Sequence, residues 1–207
     1  MKGKISILIA DDHAITRMGL VSLLETEDDI SVVGQASNGN EAIALALALR
    51  PDVVIMDLMM PETDGVTATR KIHAALPDVR IMILTTFGDT DDIAHALDAG
   101  ATGALMKSSD IPDLVKAIRS VASGKAYIAS EIAKMLSESP PLPTLTKRQQ
   151  EILTAVTKGL TNSEMSDRFG ITPDCVKDHM KAILSKLGAS SRAEAVALAL
   201  RKHLLKI

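Results

Sequence analysis

Across the first 122 residues, short apolar runs rich in β-branched side chains alternate with longer stretches of helical period, and this constrains the fold more than any other feature of the chain. Strands are expected near Ile5–Ala10, Ser31–Gln35, Val53–Asp57, Arg80–Thr85 and Gly103–Met106, with helices near 14–26, 39–49, 65–76, 90–99 and 111–122. Parallel strands need a crossover of a dozen or more residues, and helices at this spacing supply it. Strict alternation therefore predicts an α/β fold: a flavodoxin-like, doubly wound, parallel five-stranded sheet. Ligands of such sheets bind outside the carboxyl ends of the strands, where strand order reverses.

The remainder reads differently. Ser139-Pro140-Pro141-Leu142-Pro143 cannot be helical, because three prolines remove amide donors and fix φ, so it marks an interdomain linker. A short helical piece, Ser130 to Leu136, is expected just before it as part of the connector. Beyond Pro143, helix-start signals recur: Thr146-x-x-Gln149, Thr161-x-x-Glu164 and Ser191-x-x-Glu194 match the capping box, and Thr172-Pro173 places a cap before an N1 proline. Gly159, Gly170 and Gly188 stand where the first three helices would stop. The expected organisation is an α/β domain over 1–122, a linker with a short helical connector over 123–143, and an all-α four-helix domain over 144–207.

Net charge separates along the same lines. Residues 1–122 hold 10 basic and 18 acidic side chains, net −8, whereas residues 144–207 hold 11 and 6, net +5. An acidic half joined to a basic half suits a metal cation on one side and a polyanion on the other. The opening Met1-Lys2-Gly3-Lys4 and the apolar run Ile5 to Ala10 imitate a short leader, but Asp11-Asp12 stops the run at once, as in a buried strand. No stretch approaches the roughly 18 apolar residues of a membrane span. The single Cys175 excludes an intramolecular disulfide, so a reducing cytoplasm is the expected location.

At the predicted carboxyl rim stand Asp11 and Asp12 after the first strand, Asp57 ending the third, Thr85 ending the fourth and Lys107 after the fifth. A lone Asp at a strand end is commonly a helix cap. Five convergent polar groups on one edge are not so explained. Three carboxylates repel one another unless a cation joins them, and hard oxygen donors suit Mg²⁺. A carboxylate beside such an ion can attack a phosphoryl group to give an acyl phosphate, with Lys107 neutralising charge and Thr85 donating a hydrogen bond.

The string Ile7-Leu-Ile-Ala-Asp11-Asp12-His, then Asp57-Leu-Met-Met-Pro61-x-x-Asp64-Gly65, Thr85 and Lys107 resembles the receiver domain of bacterial two-component response regulators over residues 4–122. The resemblance implies that Asp57 is the phosphoacceptor and that Asp12, Asp57 and the Met59 carbonyl ligate magnesium. It further implies that Asp11 is a supporting acid, Lys107 the phosphate partner and Thr85 the switch hydroxyl, and that a sensor histidine kinase is the donor. Such receivers usually carry an aromatic residue two positions before the lysine; this chain has Ala104. Activation is therefore expected to run through Thr85 and the backbone after the fourth strand.

In the basic half, Leu145-Thr-Lys-Arg-Gln-Gln-Glu-Ile-Leu, Gly159-Leu-Thr-Asn162-Ser-Glu164-Met, Val176-Lys177-x-His179 and Lys186-Leu187-Gly188 to Ser191-Arg192 resemble the LuxR-type helix-turn-helix of NarL/FixJ response regulators over 144–206. The expected elements agree: a helix over 161–169, a turn at Gly170–Ile171 and a helix over 173–187. In this arrangement the second helix enters the major groove of double-stranded DNA. Lys177, Asp178 and Lys181 share its polar side, while Val176, Met180, Ile183, Leu184 and Leu187 form the apolar stripe. Lys177 and Lys181 can reach guanine acceptors or phosphates. Asp178 either accepts from a cytosine amino group or is a solvated charge balanced by the two lysines. Thr161, Asn162, Thr172 and Arg192 are candidates for DNA-backbone contacts, or are caps only. Cys175 is expected as a small, partly buried packing residue. The last helix, Ser191 to about Leu204, presents Val196, Ala199, Leu200 and His203, and the resemblance implies that it pairs two subunits, giving a homodimer on promoter DNA.

Two other classes share parts of this pattern. An aspartate-nucleophile phosphatase also uses magnesium and an acyl phosphate, but such enzymes resemble one another in a second acid two residues after the nucleophile, where this chain has Met59. A regulator that binds DNA without any phosphate is compatible with Ala104 and opposed by the complete acid pocket.

Overall fold

A computed structural model of the protein describes residues 3–86, 90–138, 145–201 and 204. It divides into two compact units, Met1–Pro141 and Leu142–Ile207. In the first, strands β1 (Ile5–Ala10), β2 (Ile30–Ala36), β3 (Val53–Met56), β4 (Arg80–Thr85) and β5 (Gly103–Met106) alternate with helices α1 (Ala14–Leu24), α2 (Gly39–Leu49), α3 (Gly65–Ala75), α4 (Thr90–Asp98) and α5 (Ile111–Ala122). All neighbouring strands pair in parallel, in the order β2-β1-β3-β4-β5 with one more strand beyond β5. The chain leaves β1 toward one edge for β2 and then crosses to its other side for β3, so the reversal of strand order falls between β1 and β3.

The sheet core explains why the strands lack clean alternation. All four residues of β3 are buried, as are Ile7, Leu8, Ile9 and Ala10 of β1, because helices cover both faces. With two Phe, one Tyr and no Trp in the whole chain, packing falls to Ile, Leu, Val, Ala and Met. Met56 and Met82 are among the largest fully buried side chains.

The sheet has six strands rather than the expected five. Strand β6 (Tyr127–Ile128) pairs parallel to β5, and helix α6 (Ser130–Glu138) follows it. Tyr127 N–H donates to Thr102 O at 3.1 Å and Ala129 N–H to Ala104 O at 3.0 Å, satisfying the edge that β5 would otherwise expose. Ala129 and Ile132 join the same core, so residues 123–138 belong to the first unit instead of forming a connector. A two-residue strand has no periodicity to read. The proline tract Ser139–Pro143 lies outside the described residues.

The second unit is built from α7 (Lys147–Thr157), α8 (Asn162–Phe169), α9 (Pro173–Leu187) and α10 (Arg192–Arg201). Ile152, Leu153, Met165, Val176, Ile183, Ala195 and Ala199 form its core. Thr146 with Gln149 and Thr161 with Glu164 close reciprocal capping boxes, and Thr172 Oγ1 accepts from Cys175 N–H at 3.2 Å. The third expected box is open on one side: Ser191 Oγ accepts from Glu194 N–H, but the Glu194 carboxylate reaches back to Ser190 instead. Gly170 and Gly188 end α8 and α9 in the left-handed conformation, at φ of 62° and 63°. On α10, Ala199 faces the core and Leu200 faces solvent, while His203 lies outside the described residues. Among the described residues no helix is long and apolar enough to cross a membrane.

Candidate functional site

The rim between β1 and β3 brings the acids together. Asp57 N–H donates to Ala10 O at 2.8 Å, extending the β1–β3 ladder one residue past the strand and setting the Asp57 side chain beside those that follow β1. Asp11 and Asp57 are buried, whereas Asp12 is partly open to solvent. Lys107, just past β5, bridges the two buried acids, its Nζ standing 2.6 Å from Asp11 Oδ2 and 2.7 Å from Asp57 Oδ2. The remaining Asp11 oxygen accepts from His13 N–H at 2.8 Å. Thr85 is buried at the end of β4, and its carbonyl accepts from Lys107 N–H at 2.6 Å, which ties the β4 terminus to the lysine.

Burial pushes the Asp57 carboxyl above its usual range, and the nearby Asp11 charge adds to this. Lys107 and the Met59 backbone N–H pull the other way without cancelling it. Burial disfavours the Lys107 ammonium, yet its bonds to Asp11 and Asp57 outweigh that and hold it above its usual value. The pocket thus holds a buried carboxyl and an ammonium against each other. Lys107 contacts Asp11 and Asp57, and His13 Nδ1 lies beside Asp12, so the three carboxylates line a site rich in oxygen donors. That donor set fits a small hard cation such as Mg²⁺.

The loop from β3 to α3 is held by backbone contacts that admit no side chain. Gly65 N–H donates to Leu58 O at 2.9 Å, and a Cβ at Gly65 would lie 2.0 Å from Asp57 O. Asp64 caps α3 by accepting from Thr67 N–H at 2.7 Å. From the other side, Gly39 at the start of α2 donates to Thr63 O at 3.1 Å, and a Cβ there would meet that oxygen at 2.2 Å. Glycine is required at both positions by the closeness of the chains. The clamp of α2 on this loop was not among the expected site features; the signal available was only the Asn38-Gly39-Asn40 run.

All five polar groups read from the sequence stand at the carboxyl rim, with Asp11, Asp57 and Lys107 in direct contact. Ala104 is fully buried and pairs with Ile83 on one side and Ile128 on the other. Of the backbone following β4, residues 87–89 lie outside the described residues. A residue the sequence reading passed over, His13, joins the cluster with its Nδ1 2.7 Å from Asp12 Oδ1. Its adjacency to Asp12 in the chain was the only hint.

The helix-turn-helix candidates divide. Lys177, Asp178 and Lys181 are exposed on α9, together with Asp174 and Ser185, at the spacing of a single helical face, and Thr172 is exposed as the N-cap of that helix. Asp174, not foreseen, holds Lys177 Nζ at 2.9 Å. Thr161 is engaged with Glu164 through its capping box. Arg192 donates to Asn162 Oδ1 at 3.1 Å and also to the Leu160 carbonyl, so this pair ties the start of α10 to the start of α8. Cys175 is exposed rather than partly buried, because the first turn of α9 turns that face outward.

Residues 7–119 match the model of the response regulator receiver domain, and residues 143–199 that of the bacterial regulatory proteins of the luxR family. The chain is 41% identical over 209 residues to the transcriptional regulatory protein LiaR of Bacillus subtilis, covering 97% of this chain and 99% of that protein. It is 37% identical to the response regulator protein VraR of Staphylococcus aureus, covering 98% and 99%. The crystal structure of the response regulator ChrA of a heme-sensing two-component system superposes with a TM-score of 0.59 at 35% identity, over 99% of this chain and all of that one. Acid pocket, parallel sheet and basic helical unit are accounted for together: the chain belongs to the two-component response regulators of the NarL type, transcription regulators that join a receiver domain to a LuxR-type helix-turn-helix DNA-binding domain.

Proposed function

We propose that Asp57 accepts a phosphoryl group from a phosphohistidine on a sensor histidine kinase, and that the resulting acyl phosphate controls DNA binding by the helical domain in the cytoplasm. The observation that carries this reading is the buried Asp57 carboxylate held 2.7 Å from Lys107 at the reversal of strand order. An Asp57 carboxylate oxygen attacks phosphorus; the bond from phosphorus to the histidine nitrogen breaks, and the departing imidazole takes up a proton. Asp12, Asp57 and the Met59 carbonyl, with Asp11 in support, would hold a magnesium ion. When bound, that ion supplies neutralisation of charge on the transferred group.

The phosphoryl group adds about 1.5 to 2 negative charges. Lys107 then has a stronger partner than the two carboxylates it bridges, and the Thr85 hydroxyl can donate to a phosphoryl oxygen. Because the Thr85 carbonyl already accepts from Lys107 N–H, movement of either residue is felt at the ends of both β4 and β5. Ala104 has no ring to reorient, so the signal leaves through Thr85 and its backbone. Slow hydrolysis of the acyl phosphate returns the pocket to its resting state.

On DNA, α9 lies in the major groove with Lys177 and Lys181 toward guanine acceptors or phosphates and Asp178 toward a cytosine amino group. Thr172 and Thr161 present helix N-termini to phosphates. Arg192 and Asn162 act by holding α8 and α10 in place. A homodimer would place two such helices on half-sites about one helical turn apart.

Gel-shift titration of promoter fragments with the unmodified and the acetyl-phosphate-treated chain tests the whole scheme, tighter binding after treatment being the expected result. Equal binding would select the phosphate-independent reading that Ala104 favours. Lys177→Ala is expected to weaken DNA binding about five- to tenfold and to reduce the log-log salt slope by about 0.9. An unchanged slope would show that α9 does not dock through this residue.

A further inference from the structure

The face that α9 turns to solvent carries Asp174, Lys177, Asp178 and Lys181, all exposed, and these two acids and two lysines leave it without net charge. The net +5 of residues 144–207 therefore lies wholly outside this face. Sequence-independent binding to DNA is driven by attraction between phosphates and excess positive charge, so this face adds little to it. What a neutral face of mixed sign can supply is a pattern of donors and acceptors, and such a pattern is matched by base edges rather than by phosphates.

Two of the four side chains are already joined. Lys177 Nζ stands 2.9 Å from Asp174 Oδ1, although the two side chains are 65% and 85% exposed. The hydrogen bond and charge of Asp174, with Asp178 adding to them, hold the Lys177 ammonium above its ordinary range. An exposed pair of this kind contributes little to stability. Thr172 caps the helix and Pro173 starts it without help from Lys177. The fold therefore gains little from the pair, whereas an ammonium already held in place loses less freedom when it binds.

In a G·C pair guanine O6 accepts from the cytosine amino group, the two atoms standing about 2.9 Å apart. Both atoms are open to the major groove, with guanine N7 beside O6 as a second acceptor. Lys177 and Asp174 offer the complementary donor and acceptor at the same separation. An A·T pair sets its amino group between N7 and thymine O4, so an ammonium there finds no two adjacent acceptors. We propose that Asp174 is a specificity-determining residue that reads one G·C pair as a unit with Lys177, the ammonium donating to guanine O6 and N7 and the carboxylate accepting from the cytosine amino group. The proposal rests on the reading that α9 docks in the major groove through Lys177, and deepens it by naming the base pair recognised and a second residue that recognises it. On other sequences the Asp174 carboxylate gains no partner and is repelled by phosphate, so the residue that favours the cognate site disfavours the rest.

The test selects binding sites for the full chain, treated with acetyl phosphate, from a pool of duplexes with a randomised central segment. Asp174→Ala and Lys177→Ala are each expected to relax the preference at the same G·C position and to keep the other selected positions. Changing that pair to A·T in the selected duplex should weaken binding of the unaltered chain about tenfold or more, and of Asp174→Ala less than about threefold. On a scrambled duplex of the same length Asp174→Ala should bind about two- to threefold tighter, as should Asp174→Asn, which removes the charge at nearly unchanged shape. A merely weakened α9 would loosen all positions and all duplexes together. Such uniform weakening, unchanged preference in Asp174→Ala, or relaxation at a position different from that of Lys177→Ala overturns the paired reading and leaves the docking of α9 standing. Unchanged selection and affinity in Lys177→Ala overturns that docking as well.

Discussion

Asp57→Asn is expected to reduce phosphorylation by acetyl phosphate more than about 100-fold and, in the absence of divalent ions, to raise the melting temperature at neutral pH. The first effect follows from removal of the nucleophile: an amide has no carboxylate oxygen with which to form the anhydride. The second follows from the direction in which the carboxyl is displaced. Burial and Asp11 push Asp57 upward in the folded chain. A folded state that holds a proton more tightly than the unfolded state is favoured at low pH, and that advantage is lost as pH rises through the folded value. At neutral pH the buried carboxylate is therefore a net cost, which a neutral side chain of the same shape removes. The gap in melting temperature between the two proteins should narrow as pH falls through the folded value and close below the ordinary value of 3.8, where the carboxyl is protonated in both states. Mg²⁺ should stabilise the unaltered protein far more than the variant. Differential scanning calorimetry across pH checks each point, and a lower melting temperature for Asp57→Asn at pH 7 would contradict the account.

Gly65→Val is expected to destabilise the receiver domain by about 2–3 kcal/mol and to depress phosphorylation of an intact Asp57. A Cβ at this position would lie 2.0 Å from Asp57 O and 2.8 Å from Leu58 Cα. Both are backbone atoms, so relief demands movement of the chain that carries Asp57. Gly19→Ala makes the contrasting control. Gly19 lies inside α1 with nothing within 4 Å of the added carbon, so it should gain roughly 0.5–1 kcal/mol from reduced backbone entropy. Chemical denaturation of the two variants separates crowding at Asp57 from a general response to adding a methyl group. Equal effects would remove Gly65 from the description of the site.

The elements were legible where their signals are local. Each of the first five strands and helices starts within a residue or two of its expected place, because β-branched runs, period and capping residues act within about one helical turn. Thr161 with Glu164 and Thr172 with Pro173 could be read because their partners are three residues away or adjacent. The short strand β6 had no such signal. It exists because the β5 edge offers carbonyls at Thr102 and Ala104 that Tyr127 and Ala129 can reach. Arg192 shows the same limit: on the sequence it is a cation free to meet phosphate, whereas its partners Asn162 and Leu160 lie some 30 residues away.

By itself the sequence determined which residues end the strands, and so which polar groups stand at one rim once a parallel sheet forms; hydrophobic burial and hydrogen-bond geometry leave few other arrangements for such a pattern. Only the tertiary structure decided that Lys107 bridges Asp11 and Asp57, that His13 turns toward Asp12, and that β5 is covered by a further strand. The ion pairs of Lys107 span 50 residues and more, and their existence depends on strand order, which no local period encodes.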